Sequence, residues 1–74
     1  EVYTVKIRNA ADFGQIIRKR RRELGYTQEF VAEFTGVSVT YISQLERGKK
    51  TAEIEKAIML ANVLGLDLCI EKRG

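Results

Sequence analysis

The stretch TQEFVAEFTGVSVTYISQLERG, residues 27–48, decides how this chain folds. Thr27 and Ser38 are residue types that cap helix N-termini, and each is followed by a short segment of about two helical turns. Gly36 and Gly48 stand where a left-handed residue would end the two segments. The stretch therefore predicts two short helices joined by a connection of only three residues.

The connection makes this stretch a helix-turn-helix. A three-residue link that contains glycine forces the second helix to cross the first at a steep angle. Ala32 is small where the helices approach, whereas Val37 and Ile42 can fill the angle between them. We therefore expect the N-terminal half of the second helix to project from the body of the molecule.

A longer helix is predicted upstream, between Asn9, a candidate N-cap, and about Leu24, with Gly25 as its stop. Its apolar stripe is interrupted where Arg20 and Arg21 fall, so we expect one of these two arginines to be semi-buried. The apolar residues of the stripe are Phe13, Ile16, Ile17 and Leu24.

A fourth helix is predicted downstream, capped by Thr51 and ending near Leu64, with Gly65 as its stop. One face of this helix is apolar and should point inward. The residues on that face are Ile54, Ala57, Ile58, Ala61 and Leu64.

The two ends of the chain alternate between apolar and polar residues, as half-buried strands do. Residues 1–8 predict an N-terminal strand and residues 66–71 a C-terminal strand. The expected fold is all-α, a single domain over residues 1–74 with a four-helix body at residues 9–64 and two short terminal β-strands.

Positive charge is clustered in this chain. Thirteen Lys and Arg against ten Asp and Glu give a formal net charge of +3. Residues 18–22 form one cationic block, and Arg47, Lys49 and Lys50 form a second. Such blocks are typical of a surface that faces phosphates, although two solvated charge runs would give the same pattern.

Several function classes are excluded by composition. A single cysteine, Cys69, forms no internal disulfide, and the absence of histidine removes the usual zinc ligand sets. The sequence also lacks a glycine-rich phosphate loop and a long apolar run. We expect a cytoplasmic protein with no catalysis, no metal, no cofactor and no membrane partner.

Four groups of residues follow one another in a fixed order within and just after this motif. They are Thr27-Gln28-Glu29 with Ala32, Gly36-Val37-Ser38, Ile42-Ser43 and Leu45-Glu46-Arg47-Gly48-Lys49. Together they resemble the signature of lambda-repressor/Cro-type (XRE family) helix-turn-helix domains. The resemblance covers roughly residues 13–64 and implies a lambda-repressor-like four-helix DNA-binding domain.

Two further runs, residues 48–54 and 64–68, are similar to HipB-like antitoxins, which repress their own operon and bind its kinase toxin. The resemblance implies a sequence-specific transcriptional repressor that binds a palindromic operator in double-stranded DNA as a homodimer. It also implies a HipA-like kinase toxin as a partner. A protein-interaction module that mainly holds such a toxin is the alternative, and a non-specific nucleoid-type binder is a third possibility.

The family resemblance also implies where DNA would be contacted. Gln28 matches a position that contacts a phosphate or braces the recognition helix, although a solvated residue at a helix start would look the same. The second motif helix supplies the base-facing residues, and the cations after it grip the backbone. The expected DNA-contacting residues are Gln28, Ser38, Val39, Thr40, Tyr41, Ser43, Gln44, Arg47, Lys49, Lys50 and Arg18.

Glu46 is the acidic residue of an otherwise basic region, and the family pattern pairs it with an arginine of the first helix, here Arg21. Phe30 and Phe34 lie four residues apart on the first motif helix. Packing on the upstream helix or on the terminal strands is the expected role of the two rings, and a partner-binding patch is the alternative.

The C-terminal strand resembles the one that pairs between subunits in HipB-like dimers. A short strand has unpaired N–H and C=O groups until another strand joins it. We expect residues 66–71 to pair across a two-fold axis, with Leu66, Leu68 and Ile70 facing helices, and we expect Cys69 to be a small buried residue.

Overall fold

The computed structural model describes residues 4–74, and these form four helices. The four-helix, all-α prediction is confirmed, and the two helices of the motif begin at the predicted residues. The helices are α1 (Ala10–Glu23), α2 (Gln28–Thr35), α3 (Val39–Glu46) and α4 (Ile54–Val63).

Three predicted N-caps are formed. In each, a side-chain oxygen accepts a hydrogen bond from the backbone N–H three residues later, at 2.8–3.0 Å, which satisfies a donor that the helix leaves free. The capping residues are Asn9, Thr27 and Ser38. Gly36 ends α2 at φ +79° in the left-handed region, so the corner of the motif forms as predicted.

The start of α4 was predicted wrongly. Thr51 caps nothing, because residues 50–51 form a turn in which the N–H of Ala52 approaches the carbonyl of Lys49 at 3.4 Å. The N-cap is Glu53, whose side chain makes no capping hydrogen bond.

The inward face of α4 is narrower than the sequence pattern predicts. Ile54 and Ile58 were expected to be inside, yet they are 72% and 38% exposed. Ala57, Ala61 and Leu64 of the predicted face are buried as expected, and Leu60, which the pattern did not include, is buried with them. Ile54 stands in the first turn of the helix, before this buried face begins.

The core lies where all four helices meet. Val37 and Ile42, predicted to fill the angle of the motif, are both buried. The buried apolar residues are Ile17, Val31, Val37, Ile42, Leu45, Ala57, Leu60, Ala61 and Leu64.

Gly14 allows α1 and α3 to approach closely, a role that the sequence pattern does not predict. A Cβ atom at this position would stand 2.2 Å from the carbonyl oxygen of Leu45 and 2.8 Å from that of Glu46. Both are backbone atoms of α3, so α3 is held directly against the backbone of α1.

Neither predicted terminal strand forms in the described part of the chain. Residues 4–8 and 66–74 carry no strand, and Val2 and Tyr3 lie outside the described residues. A strand needs a neighbour to bond its backbone groups. Leu66 is half-buried, whereas Leu68 and Ile70 are exposed. Cys69 is also exposed, so its expected burial is wrong for the single chain.

Candidate nucleic-acid interface

One side of α3 is set in the core and the other faces solvent. Ile42, Leu45 and Glu46 are buried, whereas Thr40 is exposed and Gln44 is half-buried. Val39, Tyr41 and Ser43 are also half-buried, and Ser38 is exposed at the N-terminus. The first turns of α3 therefore offer small polar and apolar groups at an open helix start.

The position of α3 is set by a buried ion pair. The guanidinium of Arg21 donates to both carboxylate oxygens of Glu46, at 2.7 Å and 3.0 Å. Their side chains are only 10% and 3% exposed. These hydrogen bonds raise the pKa of Arg21 above its ordinary value. The predicted pair is confirmed, and Arg21 is the buried arginine of α1.

Gln28 joins α2 to the same carboxylate. Its side-chain amide donates to Oε1 of Glu46 at 3.1 Å. Arg21 also donates to the carbonyl of Tyr26 at 2.8 Å, which fixes the link between α1 and α2. The bracing role expected of Gln28 is thus present in the free protein, and a phosphate contact by this residue stays a prediction.

Tyr41 is tied into the protein by its hydroxyl. This group donates to the carbonyl oxygen of Glu53 at 2.6 Å, and the ring packs beside the core. The Lys56 ammonium lies 5.6 Å from the ring centroid. Burial, followed by the charge of Glu53, raises the pKa of Tyr41. Tyr41 therefore links α3 to the start of α4, so its hydroxyl is not free to reach a base.

Two cations fold back onto α3. Arg47 donates to the hydroxyl of Ser43, and Lys49 donates to Oε1 of Gln44 at 3.1 Å. Lys50 is exposed beside them. The structure thus brings together the predicted base-facing and backbone-gripping groups along one edge.

Arg18 stands apart from this edge. It is exposed on α1 and lines a shallow depression of about 570 Å³ together with Gln15, Lys19, Arg22 and Glu23. Within residues 4–74, no hydrogen bond or ion pair joins Arg18 to α3. Its predicted phosphate contact stays a prediction.

An aromatic cluster on α2 departs from expectation. Phe30 and Phe34 do not pack into the body but remain 48% and 49% exposed. They lie against Tyr26 and each other, with centroid distances of 4.8 Å, 5.2 Å and 6.2 Å. Tyr26 was not singled out from the sequence, although its place before the α2 cap puts it next to Phe30.

A second depression, of about 260 Å³, lies between α4 and the terminal segments. Its apolar lining includes Ile7, Phe13, Ile54, Ile58 and Leu68. The two isoleucines of α4 that were expected inside thus form part of an exposed apolar groove, next to the C-terminal segment.

No helix in residues 4–74 is both long and apolar enough to span a membrane. In the same part of the chain, no group of three or more acidic or cysteine side chains is arranged to hold a metal ion.

The chain matches the Helix-turn-helix family model over residues 17–70. An HTH-type transcriptional regulator of Sinorhizobium fredii is 35% identical over 69 residues, which cover 93% of this chain and 91% of the relative. One of Methanothermobacter thermautotrophicus is 42% identical over 50 residues, covering 68% of this chain and 72% of the relative.

Solved structures share the fold. A chain of a HipB-O4 20mer complex is similar with a TM-score of 0.85 and 18% identity, covering 96% of this chain and 100% of that one. A chain of a complex of a HipB variant with an O2 20mer is similar with a TM-score of 0.86 and 18% identity. The match covers 97% of this chain and 100% of that one.

Proposed function

Because the chain belongs to the XRE-type helix-turn-helix family of DNA-binding transcriptional regulators, we propose that it is a sequence-specific repressor that binds a palindromic operator as a homodimer. The observation that carries the proposal is the edge of α3. There, Thr40 is exposed and Gln44 is half-buried, and Arg47 and Lys49 are held beside them.

Base reading is assigned to α3 in the major groove. Gln44 offers an amide for adenine, and Val39 and the Thr40 methyl group suit the methyl of thymine. To bind a base, the side chain of Gln44 has to give up its hydrogen bond with Lys49. The ammonium group of Lys49 is then free to bind a phosphate. Ser38 and Ser43 add hydroxyl groups to the same surface. Tyr41 contributes the edge of its ring, because its hydroxyl is held by Glu53.

Dimerisation is assigned to the C-terminal segment and the apolar groove beside it. Leu68 and Ile70 are 49% and 102% exposed in the single chain, and Ile54 and Ile58 lie exposed on α4. Pairing of residues 66–71 across a two-fold axis would cover apolar surface and satisfy backbone groups. Two copies of α3 would then enter successive major grooves about 34 Å apart.

Repression is then steric. A dimer that occupies a promoter excludes polymerase from the same face of DNA, which requires no catalysis and no cofactor. The proposed site of action is the cytoplasm.

Binding to a palindrome from the upstream region, compared with a scrambled duplex by fluorescence anisotropy, tests the repressor proposal. The expected specificity ratio is at least about 10³, and a ratio near one would indicate a non-specific binder. Gln44→Ala should weaken operator binding by about 5-fold to 150-fold and leave binding to the scrambled duplex unchanged. Lys50→Ala should weaken binding to both duplexes. It should also lower the slope of log affinity against log salt concentration by about one in magnitude, with Lys72→Ala in the tail as the matched control.

An antitoxin role is the second candidate. It is supported by the similarity of residues 48–54 and 64–68 to HipB-like antitoxins, whose partner is a HipA-like kinase toxin. Co-expression with the product of the adjacent gene tests it. A stable complex with a kinase would support the role, and failure of the two purified proteins to associate would refute it.

A further inference from the structure

The aromatic cluster gives α2 an outward surface that the DNA-binding edge does not use. Phe30 and Phe34 keep about half of their surface in water, and Tyr26 holds both rings in place from behind. Large, pre-positioned aromatic side chains are typical anchors of protein contacts.

Charge restricts what can cover this surface. Glu29 and Glu33 are the charged residues of α2, and both are exposed beside the two rings. The four residues Glu29, Phe30, Glu33 and Phe34 are called here the α2 ridge. Carboxylates at this position repel phosphates, so the complementary partner is a basic surface and not a nucleic acid.

The same chain carries a basic surface of that kind. Arg18 and Arg22 are exposed four residues apart on α1, at the rim of the depression of about 570 Å³. This surface is called the α1 basic face. Guanidinium groups lie favourably over aromatic rings and pair bidentately with carboxylates. Arginine stems also cover apolar surface.

The residues of the two surfaces have the same spacing along their helices. In the ridge, a Glu-Phe pair recurs after four residues, and in the basic face an arginine recurs after four residues. On a helix, four residues advance about 6 Å. Two helices laid side by side can therefore match each arginine with one glutamate and one phenyl ring. Within residues 4–74, no ion pair joins the ridge of a chain to its own Arg18 or Arg22.

We propose that the α2 ridge docks on the α1 basic face of a second copy of this chain. The contact is head-to-tail, because its two halves are different surfaces, and so it is separate from the two-fold dimer of the C-terminal segments. A head-to-tail contact repeats from copy to copy and gives either a closed ring or an open row of copies. It requires no DNA.

Sedimentation equilibrium of the full chain without DNA, from micromolar to submillimolar concentration, tests the contact. The average mass should rise with concentration beyond that of the dimer at low salt. The rise should vanish near 1 M salt, where the Debye length is about 3 Å. Phe30→Ser/Phe34→Ser should abolish the rise and leave the dimer intact. Glu33→Lys should weaken the association far more than Glu55→Lys, a matched charge reversal at an exposed position of α4.

Charge reversal on both sides gives the decisive result. Glu29→Lys/Glu33→Lys and Arg18→Glu/Arg22→Glu should each lose the association alone and regain it when mixed. Circular dichroism melts check that both variants fold. A wild-type mass that stays at the dimer overturns the proposal, as does loss without recovery on mixing. Unchanged association of the phenylalanine variant with weaker DNA binding would assign the ridge to duplex DNA and also overturns it.

Discussion

At the scale of single residues, the Glu46 carboxylate is where α1, α2 and α3 are joined. It accepts both bonds from Arg21 and one from Gln28, and it is almost wholly buried. A buried ion pair does not have to stabilise a fold relative to apolar packing, but breaking one side leaves an uncompensated charge. We therefore expect Glu46 to act as a structural residue that orients α3 without contacting DNA.

Glu46→Ala is expected to lower the free energy of unfolding by about 3–5 kcal/mol, because Arg21 would keep a buried charge without a partner. For a domain of this size the lower figure corresponds to a melting temperature about 12–24 °C lower. Thermal and urea unfolding measure the loss. Arg21→Met/Glu46→Ala should cost less than Glu46→Ala alone. Unchanged stability with lost DNA affinity would contradict the structural role.

Tyr41→Phe is expected to lower the free energy of unfolding by about 1 kcal/mol, because it removes one hydrogen bond while the ring stays packed. Burial raises the pKa of the Tyr41 phenol above its ordinary value of 10.0 in the folded chain. The unfolded chain therefore loses this proton first as the pH rises. The stabilising contribution is complete below pH 10.0 and is lost as the pH rises through the folded-state pKa.

Urea unfolding of wild type and Tyr41→Phe across the alkaline range checks this effect. The stability difference between the two proteins should shrink above pH 10.0. Tyr26→Phe is the control, because the hydroxyl of Tyr26 has no bond to α4. A difference that stays constant with pH would show that the phenol does not titrate differently in the folded chain.

At the scale of elements, the fit of α1 against α3 depends on Gly14. In a solvent-exposed helix, replacing glycine by alanine would stabilise the helix by about 1 kcal/mol. Here the added Cβ would stand 2.2 Å from a backbone carbonyl of α3, and backbone cannot turn aside as a flexible side chain can. Steric overlap therefore outweighs helix propensity.

Gly14→Ala is expected to destabilise the domain by about 1–3 kcal/mol or more, in keeping with other overpacked cores. It should also displace α3 and weaken operator binding more than non-specific binding. Thermal melts and anisotropy titrations measure both effects. Gln15→Ala, at the exposed next position of α1, is the control. A stabilised Gly14→Ala protein would show that the helices can separate at no cost.

Local signals in the sequence predicted most of the motif, and long-range packing explains what they missed. Capping residues and glycines act on their own neighbours, so the ends of α2 and the start of α3 followed from the sequence. The start of α4 did not, because a turn at residues 50–51 delays the helix and Tyr41, which belongs to α3, bonds the carbonyl of Glu53. The lack of space for a side chain at Gly14 could not be predicted either, because it depends on where the backbone of α3 passes.

The candidate site shows the same division. The Arg21–Glu46 pair followed from the family pattern, whereas the exposure of Phe30 and Phe34 depends on which helix faces them. Helical spacing on α2 is equally consistent with a buried stripe and with a ridge. The contacts of Ser43 and Gln44 with nearby cations are rotamer choices that spacing does not fix.

At the scale of the whole molecule, the proposed two-fold dimer depends on the exposed apolar groove and the C-terminal segment. Full burial of one isoleucine or leucine side chain is worth about 1.5–3 kcal/mol. Ile54, Ile58, Leu68 and Ile70 all have substantial exposed surface in the single chain. The proposed two-fold dimer would cover these side chains, which the fold of one chain leaves exposed.

Leu68→Asp/Ile70→Asp is therefore expected to give a folded monomer, because carboxylates cannot enter an apolar contact without a partner. The helical body should keep its melting transition at low concentration, since both residues lie outside the buried core. Operator affinity should fall by orders of magnitude, as a monomer fills one half-site only. Sedimentation at micromolar concentration checks the state, with Lys72→Asp/Arg73→Asp as the control. If wild type already sediments as a monomer there, the two-fold arrangement of α3 on DNA has no physical basis.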